Sequence, residues 1–429
     1  MRILSIESSC DDSALAYTDG NNAKLLWHEK ISQEDSHSCY GGVVPELASR
    51  LFARDLVQLL NNFKQKFSFS NISYIAVTNE PGLSTSLLEG VMMAKALSLS
   101  LKIPLLGINH LKGHIYSLFI ESYKEIFPLC VLLVSGGHTM LIECYSYNDM
   151  RVVANTLDDS FGECYDKAAK MLGLGYPGGM IIDSLAKQAL SENIAPVALP
   201  IPLINQNMQC FSFSGLKNAF RLQLEKMALK NLIQDSQLYD KNEYVNRIKN
   251  SIEAKALALG LQESATTHLI HKCKFYMKQN DHIKHFAIVG GASANSMLRE
   301  KIQILTVQFH KTLLMSELRY CSDNAAMIGR AAIGKIRHEN AMNTYKQINY
   351  GQLDSKKNTL PLNKIWHDKD TESKNFASNS SNSYAMQKLD TINLHTISHA
   401  HANSNDRNNQ YNPLSLQISP RNTEIKTTS

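Results

Sequence analysis

The chain has 429 residues, 44% hydrophobic and 19% charged, enough apolar matter for two ordinary domains with packed cores. A formal charge of +5 is compatible with a nucleic-acid partner without requiring one. Eight cysteines (Cys10, Cys39, Cys130, Cys144, Cys164, Cys210, Cys273, Cys321) include no CxxC pair, which excludes a four-sulfur zinc knuckle and disfavours a disulfide scaffold.

The opening "MRILSIESSCDDSALAY" turns acidic too early for a signal peptide, and no apolar run reaches the roughly 18 residues of a membrane span. A cytoplasmic protein without membrane contact is therefore expected. "RILSIES", "SCDD" and "SALAYT" predict a β-hairpin with a small, acidic turn. "ELASRLFARDLVQLLNNFKQKF" predicts a helix, "SYIAVT" a buried strand, and Pro81-Gly82 a turn. "STSLLEGVMMAKALSLSLK" has helical period, and "IPLLGI" is a short strand leading into "INHLKGHIYS".

The pattern then restarts. "LCVLLVSGGHTMLIEC" is again strand, small-residue turn, strand, and "HFAIVGGASANSMLREKI" is a strand, a Gly-Gly turn and a helix. Two lobes that each begin strand-turn-strand suggest a duplicated α/β architecture with a cleft between its halves. The charged stretch between about 220 and 255 is expected as solvated helices or an exposed insertion. Residues 366–429 are polar and rich in Asn and Ser, so a disordered tail is expected there, with His395, His399 and His401 as ordinary members of it.

His110 and His114 stand four apart, one turn along a helix face, a spacing that suits a metal ion but is more often a surface accident. Metalloproteases place a Glu after the first His; here Leu111 holds that place, so the general base is missing. A bound metal needs a third protein ligand, and carboxylates in small-residue turns are candidates. Asp323 in "RYCSDNAAMIGRAAIGK" is one, although a helix N-cap would use it equally well.

Ser135, Gly136 and Gly137 form a turn between apolar strands, either an anion cradle or a plain tight hairpin. Gly290 and Gly291 resemble it, and Asn295 beyond them offers an amide that suits a base or ribose. "DDSFGECYDKAAKMLGLGYPGG" and the residues after it gather Asp158, Asp159, Glu163, Asp166 and Asp183, suited to ribose hydroxyls, a metal, or capping.

Nine segments occur in one order: "ESSCDDSALA", "YGGVVPELASR", "PGLSTSLLEG", "NHLKGH", "LLVSGGHT", "DDSFGECYDKAAKMLGLGYPGG", "FSFSGLKNAF", "GGASANSMLRE" and "CSDNAAMI". From residue 1 to about 350 they resemble the tRNA N6-adenosine threonylcarbamoyltransferases, in the bacterial and organellar TsaD-type branch. The resemblance implies the actin/sugar-kinase/heat-shock ATPase architecture of two ribonuclease-H-like lobes. The first would span 1–127, joined by a C-terminal helix at about 321–345, and the second 128–320 with the nucleotide pocket. The implied reaction moves threonylcarbamoyl from threonylcarbamoyl-adenylate to the N6 amine of adenosine 37, in tRNAs reading codons that begin with A, and releases AMP.

By the same resemblance His110, His114 and Asp323 hold one divalent metal ion, iron before zinc. Leu133, Val134, Ser135, Gly136, Gly137, Asp166, Gly179, Asp183 and Asn295 form the walls of the adenylate pocket. Asp11 matches a family acidic position and is the candidate to take the amine proton. Implied partners are tRNA and subunits of the TsaB and TsaE types, after a TsaC-type enzyme has made the adenylate. The departures are Asp12 for the usual Glu, Phe52 for a His, Glu80 for a Gly, and Leu133 where the archaeal branch has a ligating Tyr nearby. None removes a ligand, and the polar tail lies outside the pattern. The rivals are an ATP-dependent kinase or ATPase of the same superfamily, a metallopeptidase, and a tRNA-binding scaffold without turnover.

Overall fold

The computed structural model describes residues 1–38, 40–206, 208–227, 240–354 and 426–427. The hairpin expected at the start is there. β1 (Arg2–Glu7) and β2 (Asp12–Asp19) pair antiparallel with Ile6 opposite Leu15, and β3 (Lys24–Ser32) continues the meander. β4 (Tyr74–Glu80) and β5 (Leu105–Asn109) then add in parallel on the other side of β1, giving the order β3-β2-β1-β4-β5. β1 is buried almost throughout because it is central and covered on both faces, whereas edge strand β3 carries Lys and Glu.

The second half repeats the plan. β6 (Leu129–Val134), β7 (Thr139–Cys144) and β8 (Met150–Asn155) form an antiparallel meander. β9 (His285–Val289) and β10 (Thr312–Met315) add in parallel beyond β6. The order β10-β9-β6-β7-β8 is the first sheet's order over again, with the short β11 (Lys426–Thr427) beside β8. This doubled three-plus-two sheet is the two-lobed architecture that the sequence implied.

The short α1 (Glu34–Ser38) leads to α2 (Pro45–Lys66) and α3 (Ser84–Leu101), which cover one face of the first sheet through Phe52, Leu56, Phe63 and Val91 packed on Leu4, Ile6 and Val77. Its other face meets α4 (His110–Tyr116) and the first part of α11 (Ala325–Asp354). The same apolar cluster takes in Leu129, Val131 and Leu133 of the second sheet, so these two helices lie between the lobes. The small residues of "NAAMIGRAAIG" are explained by that position. A Cβ on Gly113 of α4 would stand 2.8 Å from Ile328 Cδ1 of α11, so the two helices pack closely at this point.

The outer face of the second sheet is covered by α5 (Phe161–Met171), α6 (Gly178–Ser191), α7 (Ser214–Lys226), α8 (Lys241–Asn250), α9 (Ile252–Gln279) and α10 (Ser296–Gln308). One correction arises here. The stretch between about 220 and 255 is not a solvated insertion where it is described, since Phe220, Leu224, Tyr244 and Ile248 are buried in the second lobe's core. Its charges mark only the outer faces of amphipathic helices. Residues 228–239 of that stretch, and the tail from 366 apart from Lys426–Thr427, lie outside the described residues. By contacts the chain divides into Met1–Asn340 with Tyr411–Ser429, and Ala341–Gln410, and the candidate site lies within the first unit. Among the described residues no helix is long and apolar enough to cross a membrane.

Candidate functional site

At the end of β5, Asn109 caps α4: its Oδ1 accepts from the backbone N–H groups of Leu111 (3.0 Å) and Lys112 (3.2 Å). The cap starts the helix at His110 and so aims both histidines the same way, with ring centroids 4.6 Å apart. Far down the chain, the capping role that Asp323 was eligible for belongs to its neighbour. Asn324 Oδ1 accepts from Met327 N at 2.9 Å, which leaves the Asp323 carboxylate free. Its Oδ1 lies 3.2 Å from His114 Nε2 and 3.5 Å from His110 Nε2. One ligand atom from each of the three residues falls within 4.8 Å of the others.

The surroundings fit a cation. His114 is fully buried, its Nδ1 has no hydrogen-bond partner, and its Nε2 has only the Asp323 carboxylate in front of it. Burial lowers its pKa, against the pull of the Asp323 carboxylate that its Nε2 faces at 3.2 Å. A buried polar group left in that condition is costly, and a bound metal ion relieves it. Two imidazoles and a carboxylate are also the donor set that first-row divalent metals take.

Behind this trio sits Glu7, fully buried, which the sequence reading passed over. It accepts from Ser9 N (2.7 Å) and Thr78 Oγ1 (2.5 Å), and its Oε2 lies 3.3 Å from His110 Nδ1, where Ser9 Oγ also approaches to 3.1 Å. The carboxylate holds the imidazole proton on Nδ1 and turns Nε2 toward Asp323. Burial alone would lower the pKa of His110, but the Asp323 and Glu7 charges outweigh it and hold it at about 9. Asp323 is itself driven well below the usual carboxylate range, because His110 and His114 outweigh its burial.

The first hairpin turn brings two more carboxylates beside the trio. Burial raises the pKa of Asp11, with the Asp323 charge adding to it, and Tyr176 donates its phenol hydrogen to Asp11 Oδ2 at 3.2 Å. Tyr176 belongs to the second lobe, so this bond crosses the cleft. Burial pushes Asp12 up to about 7 against the pull of Lys30, whose Nζ donates to Asp12 Oδ2 (2.8 Å) and Ser322 Oγ (3.3 Å).

Across the cleft, Leu133 and Val134 are buried in β6, so only their backbone can face a ligand. The turn that follows is closed by Ser135 N–H donating to His138 O at 2.8 Å, which leaves the amides of Gly136 and Gly137 for an anion. A Cβ added to Gly136, Gly137 or Gly179 would meet nothing within 4 Å, so open space lies beside all three. His138, also unremarked in the sequence, is lowered to about 4 by burial and then by His110 and His114, which sets the glycine turn electrostatically beside the histidine pair.

The polar residues expected to line the adenylate pocket are hydrogen-bonded within the protein. Asp166 Oδ1 accepts from Gly178 N at 2.7 Å. Asp183 Oδ1 accepts from Gln262, Asn295 and Ser296, each at 3.1 Å, and Oδ2 pairs with Lys187 at 2.7 Å. Asn295 caps α10 through Leu298 N (2.9 Å) and donates to Asp183 and Gln262. Its amide is therefore engaged within the protein, rather than standing free to pair with a base as the sequence suggested. Of the remaining acidic residues, Asp158 accepts from the N–H groups of Phe213 and Ser214 at the start of α7, and Asp159 binds Lys167 and Lys217.

A family model described as TsaD, tRNA N6-adenosine threonylcarbamoyltransferase, matches residues 24–330. The chain is 51% identical over 333 residues to the tRNA N6-adenosine threonylcarbamoyltransferase of Helicobacter acinonychis, covering 77% of this chain and 92% of that one. It is 50% identical over 331 residues to the protein of the same name from Wolinella succinogenes, with the same two coverages. Among solved structures, HypF of T. kodakarensis aligns with 79% of this chain and 48% of its own at 13% identity and a TM-score of 0.46.

Proposed function

This chain belongs to the tRNA N6-adenosine threonylcarbamoyltransferase family, acyltransferases that act on tRNA, and from that premise we propose the particular reaction and the metal it uses. The protein takes threonylcarbamoyl-adenylate, transfers the acyl group to N6 of adenosine 37 in tRNAs that read codons beginning with A, and releases AMP. The observation that carries the reading is the buried convergence of His110, His114 and Asp323, one ligand atom from each within 4.8 Å of the others, near His138 at the end of the Ser135–Gly137 turn.

An exocyclic aromatic amine is a poor nucleophile, so its acyl partner has to arrive activated and be held still. The mixed anhydride supplies the activation. The amides of Gly136 and Gly137 hold the phosphate, while Asp166, Asp183 and Asn295 shape the wall that receives the nucleoside. His110, His114 and Asp323 hold one divalent ion, and two imidazoles with one carboxylate favour iron(II) over zinc. When bound, that ion supplies a Lewis acid for the threonylcarbamoyl carbonyl. Glu7 keeps His110 in the tautomer that ligation needs. Asp11, its pKa raised and its carboxylate oriented by Tyr176, takes the proton from the amine.

The family resemblance also supports a cytoplasmic location and partner subunits of the TsaB and TsaE types, so the isolated chain is expected to turn over poorly. The test supplies tRNA with either threonylcarbamoyl-adenylate or ATP and reads the tRNA nucleosides by mass. Modified adenosine from the adenylate supports the reading. ATP consumption with unmodified tRNA favours a kinase or ATPase instead.

A further inference from the structure

One side chain touches both halves of the site without belonging to either. Arg299, on the first turns of α10, donates from Nε to Ser293 O at 2.8 Å. Ser293 is buried in the short turn Gly291–Ala294 that delivers Asn295 to Asp183. The other arm of the guanidinium, Nη2, donates to Ser316 O at 3.0 Å and to Cys321 Sγ at 3.1 Å. Cys321 lies two residues before Asp323 in the same loop.

From Ser316 the bonding continues to the histidine helix. Ser316 Oγ meets Ser117 Oγ at 2.5 Å, and Ser117 Oγ donates to the backbone oxygen of His114 at 2.6 Å. Ser117, Ser293, Ser316 and Cys321 are all buried, so water does not compete for these bonds. The planar fork of Arg299 therefore fixes three points together: the turn on the nucleotide side, the loop that carries the metal carboxylate, and, through two serines, the helix that carries the imidazoles.

We infer that Arg299 is a positioning residue that couples the two subsites, so that a nucleotide in the glycine-turn pocket tightens metal binding at His110, His114 and Asp323, and the reverse. The inference rests on the assignment of the two subsites above. Movement of the Ser293 turn on nucleotide binding shifts the guanidinium, and the guanidinium carries the Asp323 loop and the end of α4 with it. Lysine cannot replace it, because one ammonium on a flexible stem does not span the fork. A coupling of this kind is reciprocal in binding free energy, which makes it measurable without turnover.

The experiment titrates the full-length protein with Co2+, read by its visible absorption, with and without saturating AMP, and then titrates AMP with and without Co2+. In the wild type each ligand is expected to tighten the other by about fivefold or more. In Arg299→Lys, and in Ser117→Ala, which cuts the path at the histidine helix, both ligands still bind but the mutual effect falls below about twofold. Independent binding in the wild type, or an undiminished effect in both variants, overturns the inference and leaves the subsites standing. Absence of Co2+ binding to the wild type overturns the metal assignment and this inference with it.

Discussion

The carboxylate of Glu7 lies 3.3 Å from Nδ1 of His110 at a position sealed from solvent, and the other nitrogen of that ring faces Asp323 at 3.5 Å. One imidazole is thus fixed between a permanent acceptor and a candidate ligand site. Glu7→Gln keeps the shape and removes the charge, so metal affinity should fall on the order of 10- to 100-fold. A competition titration with a chelator measures it. Unchanged affinity would mean that Glu7 serves folding alone.

Metal uptake should expel a proton. In the metal-free protein His110 is held at about 9 against an ordinary value of 6.5, so it is protonated at neutral pH and must lose that proton to ligate. Affinity should therefore rise by up to about tenfold per pH unit below 9 and level off above it. The sign for folding is opposite. A raised histidine pKa stabilises the metal-free protein fully below 6.5, and that contribution drains away as pH rises through 9. The depressed Asp323 works the other way, its contribution being lost as pH falls through its lowered range. Calorimetry at neutral pH in buffers of different ionisation enthalpy should find about one proton released per metal. Finding none would remove the charged His110.

Asp12 and Lys30 form a second titrating pair. Asp12 Oδ1 is buried without a partner, and its carboxyl is raised from 3.8 to about 7 by burial. Stability from its protonated form is complete below 3.8 and is lost as pH rises through 7. Asp12→Asn does not titrate, so urea unfolding at pH 5 and pH 8 should show the variant gaining on the wild type by about 1 kcal/mol or more. A pH-independent difference would show that Lys30 neutralises Asp12 completely.

Two glycines of the nucleotide side should separate stability from binding. Gly290 has φ +94°, and a Cβ there would fall 2.2 Å from Val134 O, so Gly290→Ala should cost about 2 kcal/mol or more. At Gly136 the same methyl meets open space, so Gly136→Ala should change stability by no more than about 0.5 kcal/mol. It should nevertheless weaken AMP binding about tenfold, because the methyl would stand in the proposed phosphate site. Normal AMP affinity in Gly136→Ala would move the phosphate away from this turn.

The doubled sheet was legible because each half begins with an apolar strand, a small-residue turn and a second strand, and those runs became β1–β2 and β6–β7. His110 and His114 were legible through helical spacing, but Asp323 only through the family resemblance, since its local sequence fits a cap equally well. The packing decided that question by giving the cap to Asn324. Glu7 was overlooked although an acid closing a buried central strand is itself a signal: burial demands a partner for it. Tyr176, Lys30 and Arg299 act across long sequence separations, and nothing in their local pattern marks them. The charge-rich helices around 220–255 misled because charge along a helix says what its outer face is, and not whether the other face is covered.

The central claim is tested most directly by quantifying threonylcarbamoyl-adenosine in tRNA after reaction with the adenylate and the partner subunits, wild type beside His110→Ala. Loss of the imidazole should reduce product about 100-fold or more while AMP binding is retained. Product from His110→Ala equal to that of the wild type would contradict a metal centre at His110, His114 and Asp323.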